Sequence, residues 1–178
     1  MTQAGDGRLA QPPTGPIASI ALEERYRPIV QTLEDAFSGR LRTVVLFGSQ
    51  VRGEARPDSD HDLFVVIEDL PRDPLARSRL VRITLLPILD RLPGPIGFVI
   101  KTPAEVKANL TPLLLDICAE GVCLYGATYF EPYRQKALAA LRHSGLQRRR
   151  LGGVLMWVFP QMPAGDWELN WEAYREGV

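Results

Sequence analysis

Leu22, Tyr26, Ile29, Leu33 and Phe37 recur at intervals of three and four, the spacing that gathers apolar side chains on one face of a helix. Gly39 follows as a C-terminal stop, and Pro28, lacking an N–H, predicts either a kink or the start of the main helical segment. The period then changes. Val44-Val45-Leu46-Phe47 is an unbroken apolar run ending at Gly48, and Leu63-Phe64-Val65-Val66-Ile67 is a second. Runs without polar alternation suit strands covered on both faces, so the second is expected at the centre of an α/β sheet.

Asp73 before Pro74 is an N-cap and first-turn signature, predicting a helix to about Leu92 with a bend at Pro87. Ile96 to Ile100 is a third strand, bounded by Pro93, Gly94 and Pro95. Thr102-Pro103-Ala104-Glu105 then has the spacing of a capping box. Thr111-Pro112 opens a further helix that carries Leu113, Leu114, Ile117 and Cys118 inward and closes at Gly121, before a short strand from Val122 to Tyr125.

Beyond Gly126 the pattern shifts again. Thr128 with Glu131 has capping-box spacing, and Tyr133, Ala137, Leu138 and Leu141 give one apolar face before Gly145. Residues 127–178 are therefore expected to form a helical extension, packed on the preceding domain or on a partner. Arg148-Arg149-Arg150 is expected on a solvated helix face, with a phosphate or an acidic partner as the alternative. Trp157, Trp167 and Trp171 all fall in this last portion, as interface anchors or as packing onto the chain's own sheet. At the other end, residues 1–16 are rich in Gly, Pro, Gln and Thr and lack an apolar signal-peptide core, which predicts a flexible tail.

Composition narrows the reading only where it excludes something. A chain of 178 residues with 46% hydrophobic residues can bury one full core. Lys plus Arg equals Asp plus Glu at 21 each, so no overall positive field draws the protein onto nucleic acid. The charge-free stretch from Leu151 to Pro160 is too short for a bilayer, which needs roughly 20 residues. Two Cys and two His make neither a disulfide framework nor a zinc site. Cys118 and Cys123 fit free thiols in the cytoplasm.

The chemistry concentrates in Gly48-Ser49, ten intervening residues, then Asp60-His61-Asp62 leading into the strand at Leu63. Side chains two apart on a strand share a side, so Asp60 and Asp62 are expected to project together while His61 faces away. Two hard oxygen ligands on one face suit Mg²⁺ or Mn²⁺, which share coordination among carboxylates, water and phosphate. A glycine followed by a hydroxyl at a strand end lets backbone N–H groups approach phosphates.

Gly48, Ser49, Arg52, Gly53, Ser59, Asp60, Asp62 and Leu63 together resemble the nucleotidyltransferase superfamily related to DNA polymerase β, in particular its minimal nucleotidyltransferase branch. Leu113-Leu114-Leu115-Asp116-Ile117, Glu120-Gly121-Val122 and Leu124-Tyr125-Gly126 resemble the end of that domain, so the likeness covers about Val30 to Gly126. It implies an α/β (α+β) nucleotidyltransferase fold over residues 17–126: a mixed sheet of about four or five strands with helices mainly on one face. It also implies transfer of AMP, or another nucleotidyl group, from ATP or another nucleoside triphosphate to a protein or small-molecule hydroxyl. Asp60 and Asp62 would hold the metals, and Gly48, Ser49, Arg52 and Ser59 would bind the nucleotide. The branch includes antitoxins that adenylylate a HEPN toxin partner; aminoglycoside nucleotidyltransferases share the signature.

One departure matters. The family draws a third carboxylate from the next core strand, and Gly97 stands at or near that position in Ile96-Gly97-Phe98-Val99-Ile100. Glu105 and Asp90 are the nearest acids, the first explained by capping and the second by helix-surface solvation. Loss of an acid from a two-metal site removes charge that the cations need. A nucleotide-binding or protein-interaction module without transfer is thus the second reading. His61 is expected to face a helix, and the Arg56-to-His61 spacing that matches HEPN ribonucleases is read as coincidence.

Overall fold

The computed structural model describes the backbone of residues 16–177 and side chains from residue 21. The expected tail lies outside the described residues except at Pro16, where the first helix begins. In chain order the elements are α1 (Pro16–Ala36), β1 (Leu41–Phe47), α2 (Ser49–Arg52), β2 (His61–Ile67), α3 (Pro74–Thr84), a 3₁₀ stretch (Leu86–Arg91), β3 (Ile96–Lys101), α4 (Pro103–Ala108), α5 (Pro112–Glu120), β4 (Val122–Tyr125) and α6 (Ala127–Ser144). The chain ends in β5 (Gln147–Leu151), β6 (Val154–Val158), β7 (Trp167–Leu169) and β8 (Tyr174–Glu176).

The main sheet has four strands in the order β3-β2-β1-β4. It is mixed: β1 pairs antiparallel with β2 and β4, while β2 and β3 run parallel. Alternate residues of β2 supply two cores. Leu63, Val65 and Ile67 pack with Tyr26, Ile29, Leu33 and Phe37 of α1 and Val81 of α3. Phe64 and Val66 pack with Val106 of α4, with Leu114, Ile117 and Cys118 of α5, and with Phe130 of α6. Helices therefore cover both faces and not mainly one. Unbroken apolar strands leave no face for water, so each side needs its own layer.

Local signals explain most boundaries. Asp73 accepts from the N–H groups of Leu75 and Ala76 and caps α3. Thr102 and Glu105 complete a reciprocal capping box at α4. The predicted 73–92 helix breaks at Thr84 and resumes as 3₁₀, because Pro87 offers no N–H and disfavours α geometry just before it. Pro28 lies inside α1, where it neither ends nor begins the helix. Thr128 lies one residue inside α6 and is not its cap. Gly126, at φ 73°, turns β4 straight into the helix, and a Cβ there would collide with the Arg42 carbonyl.

The C-terminal segment departs most from expectation. After α6 it forms two antiparallel hairpins, β5–β6 and β7–β8, where a helical extension was expected. Gly152 and Gly153, both at positive φ (56° and 86°), make the two-residue turn between β5 and β6, the geometry that matches strand twist. Arg148-Arg149-Arg150 is consequently strand, with alternate arginines on opposite sides. Trp171 packs back onto the domain, its indole N–H donating to the Val106 carbonyl at 2.7 Å and its ring meeting Tyr133 edge-on.

Candidate active site

At one end of the sheet, Phe47, Asp62 and Gly97 stand in register across β1, β2 and β3. Gly48 follows at φ 79°, ψ −153°, a region open essentially only to glycine. A Cβ at Gly48 would lie 2.5 Å from Asp62 Oδ2, and one at Gly97 would lie 2.7 Å from Oδ1. The Asp62 carboxylate thus fills a slot between two bare backbones. Burial, then the charge of Asp60, raises the pKa of Asp62, and Arg52 opposes both. Asp60 itself is exposed, one residue before β2.

His61 points the other way, as strand alternation requires. It is buried, and its Nδ1 lies 2.5 Å from the Tyr26 hydroxyl of α1. Burial and the nearby Arg25 hold its pKa below the usual range. The His61–Tyr26 pair ties the start of β2 to α1 and so fixes where the two aspartates stand.

After Gly48 the chain makes a single helical turn, α2, with the N–H groups of Val51 and Arg52 bonded to the Gly48 carbonyl. Arg52 reaches back across the cleft, donating to Glu54 at 3.0 Å and Glu120 at 2.6 Å. The Ser59 hydroxyl accepts the Arg56 N–H and so shapes the loop before Asp60. Gly48, Arg52 and Asp62 line a cleft of about 340 Å³; Ser49, Ser59 and Asp60 are not among its walls.

The other walls come from residues that sequence reasoning did not assign to the site. α5 contributes Leu113, Asp116 and Glu120, and the β5–β6 hairpin contributes Arg148, Arg150, Gly153 and Leu155. Asp116 accepts from the Trp157 indole N–H at 2.6 Å and pairs with Arg148 at 3.1 Å. Burial raises its pKa. Glu120, with a side chain only 5% exposed, pairs with Arg52 and, at 3.0 Å, with Arg148. Arg150 reaches Glu54 at 2.5 Å. The available signals were a lone acid inside the Leu113–Ile117 apolar run and the Gly-Gly hairpin turn that sets Arg148 and Arg150 on one side.

Gly97 stands directly opposite Asp62, so no acid comes from β3 at that level. Glu105 is spent on the Thr102 cap and on Arg77, and Asp90 is exposed on the 3₁₀ stretch. Among the described residues, no group of three His, Cys, Asp or Glu side chains lies close enough to hold a metal ion. Two carboxylates do fit a Mg²⁺ or Mn²⁺ that arrives with a triphosphate, since such ions are commonly held by one or two carboxylates plus phosphate and water. No described helix is long and apolar enough to cross a membrane.

Comparison with known proteins agrees with this part of the molecule. Residues 26–103 match the family profile described as a nucleotidyltransferase domain, a span that includes Gly48, Asp60, Asp62 and Gly97. The chain is 28% identical over 102 residues to a candidate protein adenylyltransferase of Methanocaldococcus jannaschii, covering 57% of this chain and 69% of that protein. Among solved structures it is similar to a toxin–antitoxin with AMP-PNP, at 24% identity and TM-score 0.47 over 68% of this chain and 87% of that one. It is also similar to a chain of the tri-AMPylated Shewanella oneidensis HEPN toxin in complex with MNT antitoxin, at 22% identity and TM-score 0.45, with coverage of 68% and 87%. A spectinomycin adenyltransferase from Enterococcus faecialis matches at 17% identity and TM-score 0.45, with coverage of 61% and 57%.

Proposed function

From the premise that residues 26–103 are a nucleotidyltransferase domain, we propose that the protein transfers AMP from ATP to a hydroxyl on a protein acceptor, a HEPN-type partner being the first to test. The observation that carries this reading is the Asp62 carboxylate set between the bare backbones of Gly48 and Gly97, with the charge of Asp60 close enough to act on it. Protein as the acceptor is supported by the likeness to the Methanocaldococcus jannaschii protein.

In this reading Gly48 brings backbone to the phosphates, and Arg52, already oriented by Glu54 and Glu120, offers its guanidinium to them. Ser49 and Ser59 complete the turn and the loop that flank the nucleotide. Asp60 and Asp62 would hold Mg²⁺ or Mn²⁺, which supplies neutralisation of the phosphate charge. The acceptor hydroxyl oxygen attacks the α-phosphorus and gives up its proton to water, the bond from the α-phosphorus to the oxygen bridging the β-phosphate breaks, and pyrophosphate leaves.

A second reading is favoured by Gly97: a module that binds nucleotide and a protein partner without transfer. The two separate in one experiment. Purified protein with α-³²P-ATP, Mn²⁺ and a co-expressed HEPN-type protein is expected to give a labelled acceptor and pyrophosphate, and Asp62→Asn to give neither. ATP bound with no labelled protein and no pyrophosphate would establish the second reading and overturn the first.

A further inference from the structure

Among the described residues, Arg148 is a buried cation of the cleft whose hydrogen-bonding capacity is only partly used. The Arg148 side chain is 10% exposed. Its Nη1 sits at ion-pair distance from Asp116 and Glu120, yet both Nε and Nη1 are buried without an aligned acceptor. Donors sealed from water and left unmatched are costly, and guanidinium donors more so than neutral ones. Each carboxylate also has a hydrogen-bond donor of its own: Glu120 accepts from Arg52 at 2.6 Å, and Asp116 accepts from the Trp157 indole at 2.6 Å. Arg148 adds its charge to both, and if it turns toward an entering anion each acid keeps one hydrogen bond.

We propose that Arg148 is a ligand of the nucleotide's phosphates, carried over the cleft by the β5–β6 hairpin and handed from Asp116 and Glu120 to the triphosphate as it enters. This rests on the nucleotide reading of the cleft given above. Three features favour a phosphate as the missing acceptor. Arg148 lines the same cleft as Gly48 and Asp62, where a triphosphate beside the aspartates must lie. A guanidinium carries a fixed positive charge and donors on several edges, which phosphate oxygens accept by charge-assisted hydrogen bonds. Finally, the hairpin register pairs Arg148 with Trp157, over whose ring the guanidinium carbon lies at 5.6 Å from the centroid. The hairpin lies outside residues 26–103, as do Asp116 and Glu120 on the facing wall.

Calorimetric titration of the full chain in Mn²⁺ tests the assignment, with an α,β-methylene ATP analogue and adenosine as the two probes. Arg148→Met is expected to weaken the triphosphate by about ten- to a hundredfold and to leave adenosine within twofold. Arg148→Lys, which keeps the charge and loses the fork, is expected to fall between, and serves alone if the Met variant does not fold. Arg149→Met, on the other side of β5, is expected to match the unmodified chain. Equal weakening of both probes, or triphosphate binding that is unchanged or tighter in Arg148→Met, would show Arg148 to be a strap on the hairpin and overturn the proposal while leaving the proposed function intact. If the unmodified chain binds neither probe, the nucleotide reading fails and this inference with it.

Discussion

The floor and the cap of the cleft are built from opposite materials. The floor, at the adjoining ends of β1, β2 and β3, works by taking side chains away: Gly48 and Gly97 present bare backbone on either side of one carboxylate. The cap, the β5–β6 hairpin, works by long charged side chains crossing open space, with Arg148 spanning to Asp116 and Glu120 and Arg150 to Glu54. That floor resists change most at Gly48, whose backbone holds a conformation that side chains rarely adopt. A cap of that kind is adjustable, since each arginine has several rotatable bonds and exchangeable partners. In the proposed reading the floor holds one end of the nucleotide's phosphates in place, and the cap adjusts to them from above.

Substitutions can break this contrast or sharpen it. The largest effect is expected at Asp62. Asp62→Asn should cut labelled transfer by ~10²-fold or more, as loss of one electrostatic partner of a developing charge does, while the melting temperature rises by roughly 2 °C. The sign of the second follows from the raised pKa: the folded state disfavours the charged carboxylate, so neutralising it relieves the fold at neutral pH. Calorimetry on both proteins checks the two together. Gly48→Ala comes next, with about 2–4 kcal/mol of destabilisation in denaturant titration, from a disallowed φ and a Cβ against Asp62. An alanine tolerated there would mean that the floor yields after all.

On the cap, Trp157→Phe removes one bond to Asp116 and should cost ~1–2 kcal/mol in the same titration, with nucleotide affinity falling because the hairpin is less firmly seated. The smallest effect concerns acid. Burial and Arg25 hold His61 below its ordinary 6.5, so the unfolded chain binds the proton first as pH falls. Stability should therefore decline as pH drops below about 6.5, by at most ~1.4 kcal/mol per unit. Thermal melts between pH 7.5 and 5 should show this slope, and His61→Asn should flatten it.

The contrast also explains what was legible in the sequence. The positions of Gly48 and Asp62 at adjoining strand ends were legible because short-range backbone rules govern them, a strand end and a period of two, whereas Gly97 drew notice only through the family resemblance and Asp60 stands exposed outside the cleft walls. The two-sided burial of β2 was legible in its unbroken Leu63–Ile67 run, and the expectation of helices mainly on one face set that signal aside. Arg148 meets Asp116 and Glu120 over about thirty residues, and Arg150 meets Glu54 over 96; pairing at such range leaves no local trace. Arg148 to Arg150 read as a helix surface because arginines favour no period of their own. Gly152-Gly153, with positive φ at both positions, was the one local clue to a hairpin.

Gly97 has a consequence beyond the present cleft. Asp62 Oδ1 already occupies the volume that a side chain at 97 would need, with only 2.7 Å to spare for a first carbon. An acid introduced there would have to displace the Asp62 carboxylate, so the slot holds one carboxylate in its present place and not two.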